Sequence, residues 1–212
     1  MSAIRVMPVG EHALLCETRD LASAQALYGE VRRRREASQF ECLDVVTGET
    51  TVLLDGLHQA AMSSLVQEIS AWELSPGAFQ EGDTVTLPVV FDGPDLAEVA
   101  RLWGVTPEAL IAEVTGTRLH SAFGGFAPGF AYLTGLERDT PRLDTPRTSV
   151  PAGAVAVAGR YAGVYPRSSP GGWRLLGSLA TDAPQLWDAT REAPALLTPG
   201  TEVRFVETKA AP

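Results

Sequence analysis

With 212 residues, 45% hydrophobic and 20% charged, the chain is long enough for one large domain or two small ones and too apolar to be disordered. Its formal net charge of −9 opposes non-specific attraction to a polyanion, so nucleic acid is not expected as a partner. No apolar run approaches the roughly 18 residues of a membrane span, and residues 1–10 lack the basic-then-apolar order of a signal peptide; a soluble, cytoplasmic chain is expected.

Residues 4–9 and 13–18 read as two short strands around the turn Gly10-Glu11. Asp20 can cap a helix running to about Arg35, with Leu21, Ala24, Leu27, Tyr28 and Val31 at helical spacing. That helix closes on the run Arg32 to Arg35, where cations favour the negative end of the helix dipole. Residues 40–46 and 50–55 form a second strand pair around Thr47-Gly48-Glu49. Residues 59–73 read as a second helix with Leu65, Ile69 and Trp72 on one side. The order β-β-α-β-β-α over residues 1–80 describes a small α+β domain, an open sheet with two helices on one face. Cys16 and Cys42 lie in apolar strand-like stretches without a Cys-x-x-Cys spacing, as buried thiols of a reducing compartment do. No metal site is expected.

A break follows at Ser75-Pro76-Gly77, and residues 81–212 have a different texture. Residues 84–91 read as a strand, and 96–103 and 108–114 as short helices, the second preceded by the cap and first-turn proline Thr106-Pro107. From Leu119 onward glycine and proline punctuate short strands at 154–158, 163–165, 173–177 and 202–206. That pattern suggests a mainly-β domain closed, or nearly closed, into a barrel.

Three stretches concentrate the constrained residues: residues 124–133 (GGFAPGFAYL), 146–153 (PRTSVPAG) and 165–173 (YPRSSPGGW). Glycine permits positive φ and close approach of a ligand to the backbone, while proline freezes the chain around it. The aromatics beside them either wall a pocket for a small flat ligand or fill the core at tight barrel corners, and composition leaves both open. Ser168-Ser169-Pro170-Gly171-Gly172 could offer amides to an anion, without the strand-turn-helix context of a phosphate loop. Arginine supplies 16 of the 17 basic residues, and the only lysine is Lys209. This excludes a phosphate-loop lysine, a Schiff-base lysine or a Ser-Ser-Lys amidase centre inside the fold. His12, His58 and His120 read as structural rather than as general bases.

In order and spacing these stretches resemble the KipI / 5-oxoprolinase B-subunit family, also labelled allophanate hydrolase subunit 1, and the carboxyltransferase domain with subdomains C and D. The family segments Gly-Phe-x-Pro-Gly-Phe-x-Tyr-Leu, Pro-Arg with Val-Pro-Ala-Gly, and Tyr-Pro-x-x-Ser-Pro-Gly-Gly-Trp are met at residues 125–133, 146–153 and 165–173. The resemblance implies an α+β N-terminal domain and a cyclophilin-like β-barrel domain. It also implies the role of smaller subunit in an ATP-dependent 5-oxoprolinase, which converts 5-oxoproline, ATP and water to glutamate, ADP and phosphate. The implied partners are a larger, KipA-like and cyclophilin-like subunit (the 5-oxoprolinase C component), a third component resembling the 5-oxoprolinase A component, and a small amide substrate. ATP with magnesium is the implied cofactor, at the complex if not on this chain alone.

In that reaction Arg142, Arg147 and Arg167 are the candidate cations for charge developing on the amide oxygen and phosphoryl group. Phe126, Phe130, Tyr132, Tyr165 and Trp173 would wall the ring, and Pro128, Gly129, Pro151, Gly153, Ser169, Gly171 and Gly172 would shape the backbone around it. Two positions depart from the family: many relatives carry His-Thr where this chain has Val114-Thr115, and Gly-Arg-Thr where it has Gly177-Ser178-Leu179. The alternatives are a KipI-like inhibitor of a sporulation-type histidine kinase, or a subunit of an allophanate or urea carboxyltransferase. The latter would receive biotin from a partner, since no Met-Lys-Met lies here. Nothing matches the catalytic pattern of a prolyl isomerase.

Overall fold

The computed structural model describes residues 4–74 and 82–209. The chain divides into two compact units, Met1–Glu81 and Gly82–Pro212; the break expected at Ser75-Pro76-Gly77 lies outside the described residues.

In the first unit, β1 (Arg5–Val9) and β2 (Ala13–Glu17) precede helix α1 (Leu21–Glu36), and β3 (Asp44–Thr47) and β4 (Thr51–Asp55) precede helix α2 (Met62–Ser70). The four strands form an antiparallel sheet in the order β1-β2-β4-β3. Leu14 pairs with Leu54 and Cys16 with Val52, so one face of the two central strands is apolar. Leu27 and Val31 of α1 and Leu65 and Ile69 of α2 join them in one core. Asp20 starts α1 by accepting the Ser23 amide at 2.9 Å. The terminal arginines are spent locally: Arg33 and Arg34 bind Glu30, Arg34 also reaches Glu68 and stacks on Trp72, and Arg32 pairs with Glu36. Both cysteines are free and buried, and burial pushes the Cys16 thiol up to about 12.

Two expectations are corrected here. Residues 40–43 are not strand: Leu43 is 80% exposed, and its carbonyl is taken by Arg35 rather than by a neighbouring strand. The second helix is shorter than 59–73, because Gln59–Ala61 is a single 3₁₀ turn and α2 ends at Ser70.

In the second unit, β5 (Thr84–Val90) leads into helices α3 (Leu96–Trp103) and α4 (Pro107–Gly116). The strands β6 (Leu119–Gly124), β7 (Ala131–Thr134), β8 (Arg147–Val150), β9 (Ala154–Ala158), β10 (Tyr161–Val164), β11 (Ser169–Gly171), β12 (Arg174–Leu179) and β13 (Glu202–Glu207) follow. Seven of these strands close into a barrel in the order β10-β7-β6-β13-β5-β12-β9, while β8 and β11 pair separately. The expected barrel is therefore present. All barrel pairings are antiparallel except β13 with β5. Alternation along β9 divides the strand between two cores: Val155 and Val157 belong to the barrel's main core, with Leu133, Leu176 and Phe205. Ala154, Ala156 and Ala158 belong to a second core and are equally buried. A strand buried on both faces needs a second layer, and the three glycine-rich stretches supply it. Among the described residues no helix is long and apolar enough to cross a membrane.

Candidate functional site

The alanine face of β9 and Gly163 of β10 make a flat floor on the barrel wall. Phe130, Tyr165 and Trp173 lie over it, all three buried. Phe130 is the hub, with ring centroids 5.3 Å from Phe126 and Trp173, 5.2 Å from Tyr132 and 5.7 Å from Tyr165, all edge-to-face. The sequence leaves two readings of these rings open, and the structure divides them. Phe130, Tyr165 and Trp173 are a packed layer, whereas Phe126 is 57% exposed and leans edge-on to Tyr165 at 5.9 Å. Tyr132 is half-buried and stacks on Phe123.

Local turns set these positions. The Ala127 amide donates to the Gly125 carbonyl at 2.6 Å, closing a γ-turn centred on Phe126, whose φ is +63°. That is the rare, strained form of the turn for a residue with a side chain. Pro128-Gly129 then form a type II-like turn, Gly129 at φ +84° and Phe130 N–H donating to Ala127 O at 2.9 Å. Pro151 and Gly153 bound a similar turn, with Gly153 at φ +81°. Gly171 cannot carry a side chain, because a Cβ there would collide with the Tyr165 hydroxyl. Gly172 accepts from the Leu143 amide and so ties down the strap before β8.

The three candidate arginines differ in status. Arg147, on β8, donates from Nη2 to Asp95 Oδ1 at 2.8 Å, and its Nη1 lies 3.5 Å from the Trp173 carbonyl. Arg142 and Arg167 are exposed and form no hydrogen bond or ion pair with the described residues. Both Arg142 and Arg147 act electrostatically on Tyr165; burial nevertheless pushes that phenol above its ordinary value. Ser169 Oγ is buried without a hydrogen-bond partner, a donor-acceptor left open in the third stretch, close to Arg167 in sequence.

The histidines are elsewhere: His12 faces the Leu57 carbonyl in the first unit, and His58 precedes the 3₁₀ turn there. His120 sits on β6, opposite Thr134 and Glu202. Val114 is fully buried in the main barrel core, so an apolar side chain suits its surroundings. Ser178 Oγ donates to Asp92 at 3.3 Å. No group of three or more metal-ligating side chains occurs among the described residues. The first unit also carries a shallow cleft of about 390 Å³, lined by Arg35, Phe40, Cys42, Leu43 and His58 among others, which no sequence signal marks. Asp95 is missed too, since its partner is 52 residues away.

The family model described as "Carboxyltransferase domain, subdomain C and D" matches residues 4–197. The chain is 33% identical to a protein named as the B subunit of 5-oxoprolinase from Escherichia coli O157:H7, over 99% of this chain and 98% of that one. It is 34% identical to the protein of the same name from Haemophilus influenzae, over 96% and 97% respectively. The crystal structure of TTHA0988 is similar at a TM-score of 0.75 and 33% identity, covering 94% of this chain; the chain spans 41% of that longer one.

Proposed function

Because the chain belongs to the family of carboxyltransferase domains, subdomains C and D, we propose that it is the smaller subunit of a multi-subunit ATP-dependent 5-oxoprolinase. The observation that carries this reading is the end-to-end similarity to two proteins named as B subunits of 5-oxoprolinase. The barrel is then of the cyclophilin-like type, and the chain works with a third component and with a larger cyclophilin-like subunit.

A lactam is a poor electrophile, and its oxygen becomes a leaving group only once phosphorylated. The lactam oxygen attacks the γ-phosphorus of ATP and ADP leaves. One water adds to the activated carbon, the ring C–N bond breaks, and the nitrogen takes the proton, giving an acyl phosphate. A second water releases phosphate and glutamate. Each step places negative charge on oxygen, where fixed cationic and N–H donors lower the barrier. The residues present suit such an anion: two unattached guanidinium groups, Arg142 and Arg167, with the buried, unpartnered hydroxyl of Ser169 two residues beyond the second in sequence. Phe126, edge-on to Tyr165, offers an exposed ring to a small cyclic amide. With Lys209 the only lysine in the sequence, ATP and magnesium are assigned to the assembled complex. Replacing Arg147 and Arg167 together by glutamine should abolish turnover in the reconstituted complex; full turnover would overturn the assignment of the site.

One observation favours a second reading, a KipI-like binding role. Phe126 is an exposed ring held outward by a strained turn, as an anchor for another protein would be.

A further inference from the structure

We propose that Asp95 is a positioning residue for ring opening, acting through Arg147; the inference rests on the function proposed above and deepens it. Asp95 stands at the start of α3, where an aspartate ordinarily caps the helix, yet its side chain makes no capping hydrogen bond. The carboxylate turns to the barrel wall instead. Oδ1 accepts from Arg147 Nη2 at 2.8 Å, and Oδ2 accepts from the Leu175 amide at 2.7 Å. Its own amide donates to the Leu175 carbonyl at 3.1 Å, so helix start and β12 are locked together on both sides of the side chain.

Asp95 is only 6% exposed. Burying such a group is costly unless it is paired and hydrogen-bonded, and here Oδ2 anchors the carboxylate to the Leu175 amide while Oδ1 holds Arg147. Arg147 in turn belongs to the second glycine-rich stretch, stands in register with Gly171 of the third, and reaches toward the Trp173 carbonyl. Asp95 therefore fixes one guanidinium at the place where α3, the second stretch and the third meet. The pairing uses part of the guanidinium fork and leaves its remaining N–H groups for an oxygen ligand. Arg147 then acts through a fixed direction of donation, while Arg142 and Arg167 supply the uncompensated charge. Small displacements of such a group can cost on the order of 100-fold in rate.

The test uses the complete complex, reconstituted with its two partner components, and steady-state glutamate formation from 5-oxoproline. Asp95→Asn keeps the shape and an acceptor for Leu175 but loses the charge. It should lower kcat about 10- to 100-fold while KM for 5-oxoproline stays within about threefold. In Arg147→Ala, added guanidinium chloride should restore turnover at least about tenfold, and should fail to do so in Arg147→Ala/Asp95→Asn. A carboxylate that merely braced the fold would allow rescue in both variants, which would overturn the proposal. If Asp95→Asn does not assemble, Asp95→Glu, which keeps the charge and shifts it by one methylene, replaces it; an unchanged kcat there overturns the proposal equally. A wild-type complex that forms no glutamate refutes the underlying function, and an active complex indifferent to Asp95 refutes this inference alone.

Discussion

Phe130 rests directly on Gly163. A Cβ at Gly163 would stand 2.9 Å from Phe130 Cζ, 3.1 Å from Trp173 Cζ3 and 3.2 Å from the Ala131 carbonyl. The second layer of the barrel wall exists because β9 and β10 offer alanine and glycine where most strands offer bulk.

Gly163→Ala should therefore destabilise the protein by about 1–3 kcal/mol, the usual cost of overpacking, because the backbone carbonyl cannot retreat as a flexible side chain can. Thermal unfolding should show a midpoint several degrees lower, with altered near-ultraviolet circular dichroism from the displaced rings. An unchanged melt would mean the rings do not pack on β10 as described.

Phe126→Gly separates strain from use. Glycine relieves the cost of a positive φ, of order 1 kcal/mol or more, and the lost ring is mostly exposed. Thermal stability should hold or rise while turnover of the complex falls at least about tenfold. A variant that unfolds more easily would show that the ring is there to pack.

The contrast between these two residues also shows what the sequence can and cannot reveal. Asp20, Thr106-Pro107 and the alternating run at 154–158 announce their elements by local chemistry, and α1, α4 and β9 form where expected. Strands β6, β7, β8 and β11 carry no comparable signal: β7, β8 and β11 have only three or four residues each, β6 mixes polar and small residues with apolar ones, and all four form because barrel neighbours or each other complete their hydrogen bonds. At the site, the aromatic and glycine clustering is visible in composition. Which ring is buried and which is offered outward depends on the turn at Phe126, whose strain no propensity foretells. Asp95 reads locally as a helix cap, and only the fold brings Arg147 to it.

Arg142→Gln and Arg167→Gln should behave unlike a substitution of Arg147. Both side chains are exposed and unpaired with the described residues, so the double variant should unfold within about 0.5 kcal/mol of the wild type. Its kcat/KM for 5-oxoproline should fall about 100- to 1000-fold, the range for lost transition-state donors. Unaltered kinetics would remove both from the site.

Acid stability reports on the first unit. The hydrogen bond from Arg33, followed by that from Arg34, holds the Glu30 carboxyl down to about 2 against an ordinary 4.5. A depressed carboxylate stabilises the fold above its unfolded value, and the contribution is lost as pH falls through the folded one. The stability gap between wild type and Glu30→Gln, from urea unfolding, should be full at neutral pH and shrink between about 4.5 and about 2. A gap independent of pH would contradict the ion-pair geometry.

The most direct measurement is ATP-dependent glutamate formation from 5-oxoproline by the third component and the larger subunit, with and without this chain. The account predicts turnover, with ADP and glutamate formed in equal amounts, only when all three are present. Equal turnover with this chain omitted, or none from a stable three-component complex, would contradict it.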